Sequence, residues 1–229
     1  LMGFSATDLA GAVGAASNYA GGLAQFYKSG SIIKRINGAR AAESGVLAAT
    51  LTRHGIWGPR DILEGEAGFF RAFSDRHDAS QVTRALGREF RLMEVSTKIH
   101  AGAGRVQATA DAGLALGSRH QLQPDDIADV EVGIPQVIQA RLTQNLPPDL
   151  QSAQLSVPFG LAVSLWLGRS RGASAGLRRE DFEAALANEA VRQLAGRVRC
   201  VLDEAIERGT TTEEAVSYTH LTLPTILLV

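Results

Sequence analysis

Residues Gly30 to Ala49 read Gly-Ser-Ile-Ile-Lys-Arg-Ile-Asn-Gly-Ala-Arg-Ala-Ala-Glu-Ser-Gly-Val-Leu-Ala-Ala. A turn signal, Ser29-Gly30-Ser31, releases the apolar pair Ile32 and Ile33. Two cations follow, Lys34 and Arg35, and then an Asn37-Gly38 turn. The small residues beyond it predict a helix from about Ala39 to Arg53, ended by Gly55. The positive end of that helix lies close in sequence to Lys34, Arg35 and Arg40. A helix N-terminus with convergent cations suits an anion such as a carboxylate. A solvated basic turn is the plainer reading of the same residues.

On the N-terminal side, Thr7-Asp8 offers a cap for a helix from about Leu9 to Tyr27. Its small residues, Gly11, Gly14, Ala15 and Ala20 to Gly22 among them, predict close backbone packing, at about 1 kcal/mol of propensity per glycine. Asp8, Asn18 and Gln25 argue against a membrane-spanning segment. Short helices are predicted at 59–64 and 67–73, so this portion reads as all-α. Charge density rises from Arg76 to Gly87, where a further short helix fits. Phe90 to Ile99 reads as extended and Arg105 to Leu116 as a helix ended by Gly117. Ile127, Val130, Val132 and Ile134 show the period of two of a strand that stops at Pro135. A Pro/Asn loop at 143–149 precedes a helix over Leu150–Leu167. Arg179-Glu180-Asp181 opens another helix, Asn188 a short one, and Val198 to Leu202 a second strand. The fold class expected is mainly α with α+β. An incomplete all-helical domain over 1–90 precedes a smaller, incomplete α+β domain over 91–215. Residues 216–229 are set apart, because the run Val216 to Thr225 resembles a translated sequencing-library adaptor.

A net charge of −1 and the lack of a basic stripe exclude nucleic acid as the expected partner. The longest apolar run, Val157 to Gly168, is interrupted by Pro158, Gly160 and Ser164 and is too short to cross a bilayer. Cys200 is the single cysteine, which rules out an internal disulfide framework and fits a reducing, cytoplasmic setting. His54, His77, His100 and His120 are widely spaced and offer no zinc motif. No Gly-x-Ser-x-Gly elbow is present. Gly102-Ala103-Gly104 is a weak nucleotide signal, since Gln107 stands where the third fingerprint glycine belongs.

Four blocks in order resemble the MmgE/PrpD family, which includes 2-methylcitrate dehydratase, cis-aconitate decarboxylase and related epimerases. They are Lys34 to Ala42 with Ser44 to Ala49; Gly55 to Pro59 with Ile62 to Phe73; Lys98 with Gln107 and Asp111-Ala112; and Leu155 to Val163. The resemblance spans roughly residues 8 to 203, and members are longer than this chain, which identifies it as an internal fragment. It implies a helical core domain, a smaller lid domain and a homodimer. It also implies a lyase or epimerase acting on a small di- or tricarboxylate by proton transfer beside a carboxylate, with no cofactor and no metal. By resemblance Lys34 and Lys98 are the catalytic lysines, and lid closure would bring both to one substrate. Asn37, Arg40, His100, Gln107 and Phe159 are the substrate-binding candidates.

The chain departs from the family pattern at several of these positions. Asn37 stands where many members have histidine, Gln107 where histidine is common, Ala103 where His or Cys is frequent, and Phe159 in place of a frequent tyrosine. Phe159 has a core role on an apolar helix face as its alternative, and Asp111 is read as orienting a neighbour or capping packing rather than abstracting a proton. The main acid/base residues belong to sequence N-terminal to this chain. A catalytically silent member that binds a polycarboxylate is the rival reading.

Overall fold

The computed structural model describes residues 2–139, 141–209 and 226–228. The chain forms two compact units, residues 1–23 with 33–93, and residues 24–32 with 94–229.

In the first unit, α1 (Ala6–Ser17) starts two residues before the expected cap. Ser5 Oγ accepts the Asp8 N–H at 3.1 Å, and the Asp8 carboxylate accepts the Ser5 N–H at 3.1 Å. This reciprocal capping box satisfies two amide donors at the helix start. The expected run to Tyr27 breaks at Asn18, and Gly22 turns the chain with a φ of +96°. A single turn, α2 (Phe26–Ser29), is all that forms after it; its Phe26 belongs to the hydrophobic core of the second unit. A 3₁₀ turn over Ile32–Ile36 leads into α3 (Asn37–Arg53), which begins two residues ahead of expectation and gives way to Gly55 at φ +84°.

Close packing of α1 comes from its glycines. The Gly58 N–H donates to the Gly11 carbonyl at 3.0 Å. A Cβ on Gly11 would lie 2.9 Å from the Trp57 Cβ, and one on Gly14 would collide with the Pro59 carbonyl. The stretch expected as a helix at 59–64 forms turns, followed by α4 (Phe69–Phe73) and α5 (Ser80–Thr83). Phe90 to Ile99 is no strand: it holds a 3₁₀ turn at Arg91–Glu94 and then irregular chain.

The second unit is built on α6 (Gln107–His120) crossing α9 (Val157–Arg171). Gly117, expected to end α6, lies inside it, because a side chain there would strike the Leu165 carbonyl of α9. Gly113 likewise faces Ser164. β1 (Val130–Ile134) buries Val130, Val132 and Ile134, the period-two set the sequence predicts, and Gly133 as well. A turn, α7 (Gln136–Gln139), follows. The single helix expected over 150–167 is two, α8 (Leu150–Leu155) and α9. Ser156 adopts an extended conformation between them, and its Oγ accepts the Phe159 N–H at 3.0 Å. Pro158 in the first turn of α9 needs no amide donor, so the break costs little there.

Next come α10 (Arg179–Leu186) and α11 (Glu189–Gly196), the latter capped by Asn188. Asp181 of α10 is buried and held by a two-pronged Arg171 contact, Nη1 to Oδ2 at 2.7 Å and Nη2 to Oδ1 at 2.5 Å. β2 (Val198–Leu202) pairs parallel with β1, Val130 opposite Val198 and Ile134 opposite Leu202. α12 (Glu204–Gly209) ends this run. The tail set apart at 216–229 lies outside the described residues except for β3 (Ile226–Leu228), which pairs antiparallel with the other edge of β1. The molecule is thus mainly α with a small mixed sheet. Among the described residues no helix is long and apolar enough to cross a membrane.

Candidate functional site

In the first unit a cleft of about 400 Å³ opens where the C-terminal end of α1 and the Tyr19–Gly22 turn meet the start of α3 and the rings of Phe69 and Phe73. Asn37, Arg40, Ala41 and Ser44 recur at helical spacing, so one face of α3 forms its wall. The polar groups on that wall differ in what they already do. Arg40 Nη1 is paired with Glu43 Oε2 at 2.6 Å on the exposed side. Ser44 is 6% exposed, and its Oγ has no hydrogen-bond partner. A hydroxyl in a helix interior ordinarily returns to a carbonyl one turn back; Ser44 does not. Asn37 is the first residue of α3, and Ile36 before it supplies no side-chain cap, so the amide donors of this turn receive none from a capping side chain.

Lys34 sits on the 3₁₀ turn just before, half-buried, and burial pushes its amine below the usual lysine range. It lies outside the residues lining the cleft. Sequence reasoning named Asn37 and Arg40 and passed over Ser44. Its position seven residues after Asn37, two helical turns along the same face, was the signal.

The second unit places Lys98 on an exposed, irregular lip. The residues after it are held tightly. Gln107 Oε1 accepts the N–H groups of Ile99 at 3.1 Å and His100 at 2.9 Å. Its Nε2 faces the carbonyls of His100 at 3.1 Å, Ala103 at 3.2 Å and Gly102 at 3.4 Å. Gln154 Nε2 donates to the Ala101 carbonyl at 2.6 Å, and the Ala101 and Ala103 N–H groups each donate at 2.8 Å to the carbonyls of Leu177 and Gln154.

His100 is 2% exposed. Its Nδ1 accepts the Leu177 N–H at 3.1 Å, which assigns the proton to Nε2, where it is donated to Asp111 Oδ1 at 2.9 Å. Both ring nitrogens are therefore spent. His100 and Gln107, expected to bind substrate, have their polar side-chain atoms engaged within the protein: the Gln107 amide by the backbone of residues 99–103, the His100 ring by the Leu177 N–H and Asp111. Asp111 orients a neighbour, as its position one turn beyond Gln107 suggested.

Phe159, expected at the substrate with core packing as its alternative, takes the core position. At 0% exposure its ring is core packing and offers no surface to a ligand. The nucleotide signal loses its context, since irregular chain, not a strand, precedes Gly102-Ala103-Gly104. Gln154 and Leu177, which complete the loop's anchorage, were invisible in the sequence because their partners lie tens of residues away.

Two profiles match the chain. That of the MmgE/PrpD N-terminal domain covers residues 1–82, and that of the MmgE/PrpD C-terminal domain covers residues 100–223. The chain belongs to the MmgE/PrpD family. The cis-aconitate decarboxylase-like protein oryM of Aspergillus oryzae is 32% identical over 119 residues, which is 49% of this chain and 24% of that protein. The chain thus spans about a quarter of the curated relative it matches.

Proposed function

We propose that the protein carrying this sequence is a cofactor-independent lyase or epimerase of the MmgE/PrpD type, 2-methylcitrate dehydratase-like, acting on a small di- or tricarboxylate. The observation that carries this reading is the start of α3. Asn37, Arg40 and the unpartnered Ser44 hydroxyl line one cleft on a single face of α3, and the desolvated amine of Lys34 lies three residues ahead in sequence, outside that lining. Each can donate a hydrogen bond, Arg40 with its other guanidinium N–H groups while Nη1 is paired with Glu43. Such a wall is matched to an anion, and the small cleft volume to a small one.

In this reading Lys34 and Lys98 each neutralise a substrate carboxylate. A neutralised carboxylate acidifies the carbon beside it, so a base can remove that proton and the charge delocalises into the carboxyl group. Lysine suits this as a compact charge, where the planar arginine fork does not. The lyase or epimerase works in the cytoplasm, as a homodimer, with neither nucleic acid nor membrane as partner.

The test is an NMR screen of citrate-like and succinate-like acids with the purified protein in D2O. Deuterium entering beside a carboxylate, loss of water or loss of CO2 is the expected result. Lys34→Met and Lys98→Met should each lower kcat/KM by a factor equivalent to roughly 2–4 kcal/mol, the scale of losing one preorganised donor. If no acid exchanges, dehydrates or decarboxylates, and Lys34→Met changes nothing, the enzyme reading fails.

A second reading rests on its own observation. Asn37 and Ala103 occupy positions where the family resemblance expects a titratable group, and Gln107 and His100 are spent on structure. That pattern favours a member that binds a polycarboxylate without turnover, and saturable binding with no chemistry in the same screen would select it.

A further inference from the structure

The geometry points to Gln107 as the positioning residue for Lys98. The inference rests on the proposed role of Lys98 and adds a device that holds it in place. Lys98 itself is exposed, and the irregular chain before it, 95–97, is exposed as well. Nothing upstream of Lys98 therefore explains a fixed direction for its side chain. The order comes from the other side. The peptide joining Lys98 to Ile99 carries the N–H that Gln107 Oε1 accepts at 3.1 Å, so the amide of Gln107 fixes the plane from which Lys98 projects.

Gln107 holds that plane from the first residue of α6, whose body packs on α9 in the core of the unit. Only 9% of Gln107 is exposed, and its polar atoms face five backbone groups of residues 99–103. His100 locks the same segment from a second direction, its ring fixed between the Leu177 N–H and the Asp111 carboxylate. A long, flexible lysine is a poor anchor for a carboxylate unless its root is held, because each misplaced ångström costs on the order of 100-fold in rate.

The experiment compares Gln107→Met, Gln107→Glu, Lys98→Met and the Gln107→Met/Lys98→Met double variant. The first readout needs no ligand: ¹⁵N relaxation of the Lys98 and Ile99 amides. In the parent their order parameters should sit near the rigid value of about 0.85, and Gln107→Met should drop them below about 0.6. Gln107→Glu keeps the size and shape of the side chain, so the fold survives it, but sets a carboxylate against three carbonyls and should loosen the loop in the same direction. The second readout is kcat/KM on the acid found by the D2O screen, or Kd for that acid if it only binds. Gln107→Met should weaken it by about tenfold or more in the parent and by nothing further once Lys98 is Met.

Rigid Lys98 and Ile99 amides in both Gln107 variants would overturn the inference. So would an undiminished effect of Gln107→Met in the Lys98→Met background, which is what a merely structural role gives. If Lys98→Met leaves turnover and binding unchanged, the role proposed for the lysine has failed. The relaxation data then show separately whether Gln107 fixes the loop.

Discussion

Lys34 illustrates how a single side chain can be placed at the expense of stability. Burial disfavours its ammonium, so its folded pKa lies below the unfolded value of 10.5. The unfolded chain binds that proton more tightly, so the penalty on folding is present at neutral pH and fades as pH rises toward 10.5. Lys34→Met is therefore expected to leave the melting temperature unchanged or raise it while removing carboxylate binding, measured by thermal melts and titration on the same preparation. A lower melting temperature with binding intact would contradict this.

Cys200 runs the other way. Burial pushes its thiol up to about 12. Iodoacetamide at pH 8 should modify it roughly a thousandfold more slowly than an ordinary thiol. Its contribution to stability is intact below about pH 9 and is lost as the pH climbs toward 12. At this scale the sequence revealed residue types and order and not their occupation. Asn37 and Arg40, neighbours on one short stretch, line the same cleft, whereas Lys34 from that stretch does not. The commitments of His100 and Gln107 depend on Leu177 and on five backbone groups, and no local pattern encodes them.

Among the elements, glycine placement decides more than propensity does. Gly113, Gly117 and Gly168 let α6 and α9 approach until their backbones nearly touch; a Cβ on Gly168 would lie 2.5 Å from the Leu114 carbonyl. Gly117→Val should overpack this crossing and cost about 1–3 kcal/mol, visible as a lowered denaturant midpoint. Gly172, half-buried but with nothing within 4 Å of a Cβ there, cannot act by packing and serves as a comparison only for its φ of +82°. Read from sequence alone, Gly117 looks like a helix stop, since a glycine after a periodic run usually is one. What overrides it is tertiary: the helix continues because α9 has taken the space a side chain would fill. The same logic explains α1 and α2, where the small residues at 20–24 predicted close packing but carried no apolar stripe to hold a helix together. β1 and β2 were legible almost residue for residue, because the apolar residues Val130, Val132 and Ile134 recur at a period of two; β3 was not, since its residues fall in the tail set apart. Ser156 was not, since an N-cap inside a continuous apolar run is masked by its neighbours.

Over the whole molecule, the two units are unequally supported. The hydrophobic core, from Phe26 through Phe159 and Phe182 to Val198, belongs to the second unit. Among the described residues of the first unit the fully buried apolar side chains are Ala12, Ala15 and Ala48, with Leu51, Ile62, Leu63, Phe69 and Phe70 half-buried. Val46, Leu47, Ile56 and Trp57 of that unit are instead exposed, as are Leu86, Phe90, Leu92 and Met93 toward its end. Apolar burial at about 25 cal/mol per Å² is the main term opposing chain entropy, so three alanines and a few half-buried side chains hold α1 and α3 far less firmly than the second unit's core holds α6 and α9. Native-state hydrogen exchange on this chain alone should therefore show amides of α6 and α9 exchanging only through global unfolding. Amides of α1 and α3 should exchange through openings of far lower free energy. The exposed apolar residues should also bind a hydrophobic dye before the main thermal transition. Uniform protection across both units, with one sharp transition and little dye bound beforehand, would show that the first unit draws on stabilisation its own buried side chains do not supply.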